Sequence, residues 1–162
     1  MLLLIIARNE FLNHFRTPFG WIILAVVQFL CGYRFVARIA LYVFDLEPKL
    51  SQLSDPPGVS QLIGINLLAW FTELMLIIVP LVTMKTISEE RRLATFELLL
   101  SAPVSRTTLV LGKYVGTMGF VVLITLLQFF MLISLELSVT LDRGLLFSAF
   151  IGLVLMLAAI VA

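Results

Sequence analysis

Four stretches of this chain, residues 18–44, 62–84, 108–135 and 145–162, are apolar and long enough to cross a lipid bilayer. Nothing else restricts the fold as strongly. Hydrocarbon offers no water to backbone N–H and C=O groups, so each stretch must satisfy its own backbone as a helix. The chain is 61% hydrophobic with a mean hydropathy of +1.12, well beyond the about 45–50% of soluble domains. The expected fold is all-α: a polytopic membrane protein with four transmembrane helices in a single transmembrane domain over residues 1–162.

Local residues punctuate these helices. Thr17 suits an N-cap and Pro18 the first helical position, so the first span starts there; at about 1.5 Å per residue it exceeds a core of about 30 Å and should tilt or protrude. Residues 45–61, with Pro48 and Asp55-Pro56-Pro57-Gly58, read as a loop, and Pro80 predicts a kink late in the second span. The start, MLLLIIARNEF, places its charges after its apolar residues, the reverse of a secretory signal. Within residues 1–16, Leu4, Ile5, Phe11, Leu12 and Phe15 group opposite Arg8, Asn9, Asn13 and Arg16, the pattern of an interfacial helix.

Most of the charge lies between spans two and three, from Met84 to Lys113. Thr86 with Glu89 fits a capping box, and Ser88 before Glu89 and Glu90 fits a cap with acidic residues in the first turn, so a separate amphipathic helix is expected over 86–104. Leu93, Phe96 and Leu100 share one face, Glu90, Arg91 and Glu97 point elsewhere, and Pro103 ends the helix.

The run Glu89, Glu90, Arg91, Arg92, Thr95, Glu97, Leu99, Leu100, Pro103, Val104, closed by Lys113, resembles the cytoplasmic loop of ABC-2 type transporter permeases, in particular the gliding-motility and copper-enzyme-maturation branch. Ala94 stands where those permeases usually carry Gly before the Thr. The segment ARNEFLNHFRTPFGWII is similar to their entry helix. The resemblance implies that 86–104 is a cytoplasmic coupling helix that meets a separate ATP-binding cassette ATPase subunit, and Phe96, on the apolar face of that helix, is expected to serve as an anchor for the partner. It also implies a second permease subunit as partner, in a homo- or heterodimer, and an exporter as the assembly. Such permeases typically have six spans, so the resemblance implies that these four form the N-terminal portion.

Orientation follows from Lys and Arg near the spans, which resist translocation. Seven (Arg8, Arg16, Lys85, Arg91, Arg92, Arg106 and Lys113) fall on one side, against Lys49 and Arg143 on the other. The N-terminus and the charged loop are therefore expected in the cytoplasm, in a multi-pass protein of the cell membrane.

Inside the spans, Arg34 and Glu73 lie at similar depths, roughly 24 Å from Pro18 and roughly 17 Å from Met84, within reach of a long arginine side chain. They form a candidate intramembrane polar pair, whereas Arg38 is expected to snorkel outward. Asn66, Glu73 and Pro80 repeat every seven residues, as for a stripe turned towards other helices. Gly112, Gly116 and Gly119 invite close helix packing, and Thr125 and Gln128 invite bonds to a neighbouring helix. Trp21, Tyr42 and Tyr114 sit near span ends as interfacial side chains in contact with membrane lipid.

A formal charge of +1 gives no field for nucleic acid. One cysteine, Cys31, excludes an intrachain disulfide; one histidine, His14, expected on the surface helix, excludes a histidine metal cluster. No phosphate-binding G-x-x-x-x-G-K-[ST] loop and no G-x-S-x-G elbow occurs, so no catalytic residues, metal or cofactor are assigned to this chain and any ATP is hydrolysed by a partner. The competing reading is a membrane assembly or anchoring protein whose charged loop recruits a cytoplasmic partner without transport.

Overall fold

The computed structural model describes residues 2–46, 48, 58–92, 106–137 and 141–162. Among them all regular structure is helical. Helix α1 covers Leu2–Arg16 and α2 covers Pro18–Leu41, continuing as a π-helical turn over Tyr42–Leu46. A π-helical segment, Ser60–Ile65, leads into α3 at Asn66–Arg92; α4 spans Arg106–Ile133 and closes in a 3₁₀ turn at Ser134–Leu137, and α5 spans Arg143–Val161. Among the described residues, four helical stretches are long and apolar enough to cross a membrane: Pro18–Leu46, Ser60–Lys85, Thr107–Glu136 and Arg143–Val161. The last, of 19 residues, reaches about 28 Å, close to the thickness of a hydrocarbon core.

The core forms where α3, α4 and α5 meet, with α2 contributing Val27 and Cys31. On α3 the buried residues Leu67, Phe71, Met75, Val79 and Val82 recur every three or four positions, a continuous apolar stripe. Phe120, Ile124 and Leu132 of α4 and Leu146, Leu153 and Leu157 of α5 close on it. Polar bonds also tie the helices of the core: Gln128 Nε2 donates to Gln28 Oε1 at 2.9 Å, and the Tyr114 hydroxyl donates to the Ala158 carbonyl at 2.9 Å. Tyr114 thus makes a contact within the bundle near the ends of two spans. Thr125 bonds back to the Val121 carbonyl of its own helix, not to a neighbour.

Two further expectations change. No helix boundary falls at Thr86 or Ser88: α3 runs on through Arg92. Inside a helix the N–H groups of a capping pattern already have carbonyl partners one turn back, so the pattern cannot start a new helix where nothing has ended the old one. The stripe of Asn66, Glu73 and Pro80 does not face the bundle. Asn66 and Glu73 are exposed and Pro80 is half-buried, because the apolar side chains of α3 occupy the face towards the core.

Candidate functional site

The charged stretch is rooted in the end of α3 and the start of α4. Residues 93–105, with Leu93, Thr95, Phe96, Glu97, Leu99, Leu100 and Pro103, lie outside the described residues, as do the side chains of Glu89, Glu90, Arg91 and Arg92 on the helical backbone. The two roots are described, and both are tied to the N-terminal part of the chain.

At the first root, Lys85 Nζ donates to Thr17 Oγ1 at 2.9 Å and lies 4.5 Å from the ring centroid of Phe19. The charge therefore meets a hydroxyl and an aromatic face together. Both partners belong to the corner between α1 and α2, which is built by short-range chemistry. Thr17 is extended (φ −99°, ψ 140°) and Pro18 starts α2 with its missing N–H at a position that needs none. Gly20 permits the tight approach that follows, since a Cβ there would overlap the carbonyl oxygen of His14. Trp21 Nε1 donates to the Phe15 carbonyl at 2.8 Å, satisfying one of the carbonyls that the end of α1 leaves open.

At the second root, Lys113 Nζ lies 3.9 Å from Glu10 Oε2, with side chains only 19% and 13% exposed. Shielding from water strengthens this pair relative to an open surface one. Around it α1 lies along α4 in a groove made by three glycines. A Cβ on Gly112 would stand 2.7 Å from Ile6, one on Gly116 2.6 Å from the Ala7 carbonyl, and one on Gly119 3.2 Å from the Phe11 ring. The small-residue stripe expected from sequence is thus a packing surface, and its occupant is the N-terminal helix.

This docking alters the reading of α1. Arg8, Asn9, Asn13 and Arg16 are exposed as expected, but so are Leu4 and Ile5, while His14 is only 6% exposed and stacks on Phe120 at 4.6 Å. His14 is therefore an interior residue. Phe15 adds edge contacts to Trp21 at 5.7 Å and to Phe120 at 5.6 Å, so one aromatic cluster joins α1, α2 and α4. Sequence inspection did not pair Lys85 with Thr17 or Phe19, or Lys113 with Glu10, since these partners are far apart in the chain.

Arg34, half-buried on α2, lies 5.2 Å from the ring centroid of Trp70. Glu73 follows Trp70 by three residues, on the same side of α3, and is exposed. No hydrogen bond or ion pair joins Arg34 to Glu73 among the described residues. The crevice between α2, α3 and α4, lined by Cys31, Phe71 and Gln128 among others, has a volume of about 10 Å³, room for about one water.

No curated protein and no solved structure matches the chain. A family description, ABC-2 family transporter protein, matches residues 44–162, which include the whole charged stretch, α3, α4 and α5. With more than half of its length covered and four helices able to span a membrane, this multi-pass chain belongs to the ABC-2 family of transporter proteins.

Proposed function

We propose that this chain is the permease subunit of an ABC-2 type exporter in the cell membrane, with its N-terminus in the cytoplasm. A separate ATP-binding cassette ATPase docks on the segment 86–104 through Phe96, Leu99 and Leu100, with Glu89, Glu90, Arg91, Arg92, Thr95 and Glu97 setting register and Pro103 ending the docking surface. ATP-driven movement of that subunit then pulls on α3 and α4. The observation that carries the reading is that both roots of this segment, Lys85 and Lys113, are fastened to the α1–α2 unit. A displacement of the loop is therefore passed to four helices rather than absorbed by local bending, as a two-state bundle biased by a partner requires. The small volume of the inner crevice favours a transport path between two permease subunits over one through this bundle.

The test is co-purification with the ATPase, read together with ATP-dependent export. Phe96→Ala removes an apolar contact and Glu97→Lys reverses a charge, each expected to lower ATPase binding at least tenfold, about 1.4 kcal/mol or more, while membrane insertion persists. Full binding and full export in both variants would overturn the coupling assignment and favour a non-transporting anchoring protein.

A further inference from the structure

At the end of the bundle remote from the charged loop, the end of α4, its 3₁₀ turn and the start of α5 border an open cavity of about 580 Å³. That volume lies in the range of small-molecule sites, about 300–1,000 Å³. Its walls include Phe129, Ile133, Leu146 and Phe147, and Glu136 and Arg143 bring charge to it. The walls are fixed by contacts behind them. Phe129 packs against Phe150, with ring centroids 4.6 Å apart and the rings tilted by 39°. Leu146 is buried against Gly64, where a Cβ would stand 2.6 Å from the leucine methyl. The first turn of α5 is held twice: Asp142 Oδ1 accepts from the Leu145 N–H at 3.1 Å, and the Asp142 N–H donates to Ser60 Oγ at 2.7 Å.

Arg143 Nε donates to Glu136 Oε1 at 2.7 Å; the arginine side chain is 85% exposed and the glutamate 26%. That bond takes one of the five guanidinium donors and leaves the terminal nitrogens outside it. Glu136 ends one span-length stretch and Arg143 begins the next, so both lie at the depth where lipid headgroups begin. An apolar recess at that depth, with a cation and a carboxylate side by side, selects a ligand with an apolar tail and a head of both signs.

The geometry points to a zwitterionic phospholipid bound here, with an acyl chain against Phe129, Ile133 and Phe147, its phosphate on the terminal nitrogens of Arg143 and its ammonium towards Glu136. A phospholipid lacking the ammonium would set its unbalanced negative charge beside the Glu136 carboxylate. The site is independent of the coupling role proposed above, and either can fail without the other.

The experiment incubates the purified full chain in detergent with equimolar phosphatidylethanolamine and phosphatidylglycerol and counts retained lipid by native mass spectrometry. The expected result is retention of phosphatidylethanolamine about tenfold above phosphatidylglycerol. Arg143→Ala should lower that retention about tenfold, the loss of one charge-assisted phosphate contact. Glu136→Gln should keep a bound lipid but move the preference to phosphatidylglycerol, a change of selectivity that misfolding would not produce. Equal retention of both lipids by the unaltered chain, or a preference for phosphatidylglycerol, would overturn the site. So would a preference that Glu136→Gln leaves unchanged.

Discussion

Helices α2 and α4 lie in apolar stretches of nearly equal length, 29 and 30 residues, yet they are used differently. Along α2, Ile22, Val26, Phe29, Tyr33 and Val36 are all exposed, whereas α4 buries Phe120, Val121, Ile124, Thr125, Gln128 and Leu132. Apolarity does not separate them. In hydrocarbon, lipid tails are as apolar as leucine, so helices associate through close packing and polar bonds rather than through water exclusion. What α4 has is a row of glycines opposite α1 and a glutamine opposite α2; the glycine of α2 at position 32 has no atom within 4 Å of where a Cβ would stand.

The sharpest way to break this comparison is to fill both surfaces. Gly116→Leu should force α1 off α4, because the obstruction is the Ala7 backbone, which cannot rotate away. The expected cost is about 1–3 kcal/mol, read as a lower unfolding temperature in detergent and as faster proteolysis of α1. Gly32→Leu should change stability by no more than about 0.5 kcal/mol. Equal effects at the two positions would mean that the glycine groove does not distinguish the helices. A smaller effect is expected at the Gln28–Gln128 bond between α2 and α4. A double-mutant cycle of Gln28→Leu and Gln128→Leu should give a coupling of about 0.6 kcal/mol, the average for such pairs in membranes, and additive losses would remove that bond from the account.

The same physics separates what the sequence made legible from what it hid. The spans were legible because length and apolarity alone decide what crosses a bilayer, and the glycine row at 112, 116 and 119 because spacing reveals a shared face. Its occupant was hidden. Nothing in the periodicity of α1 distinguishes a helix lying in headgroups from one lying in a groove of protein, and so His14 was expected on a surface. The stripe of Asn66, Glu73 and Pro80 shows a related limit: periodicity groups residues on a face but does not say which way the face turns, and here the apolar face of α3 took the core. The charged stretch was legible as the likeness of a family motif. The link from Lys85 to Thr17 was not, because a single lysine after a span gives no sign of a partner 68 residues away.

The central claim is that force on the charged stretch reaches the bundle through its roots, and Lys85→Met tests it most directly. The change keeps an unbranched apolar side chain but removes the bond to Thr17 and the charge over Phe19, weakening the link by about 1–2 kcal/mol. The measurement is export per ATP hydrolysed by the complex reconstituted in vesicles, with ATPase binding recorded in parallel. The predicted result is full ATPase binding with export per ATP reduced about tenfold, since the proposed docking residues are untouched while the proposed transmission is impaired. Export per ATP equal to that of the unaltered complex would contradict the account, because the root would then carry none of the force.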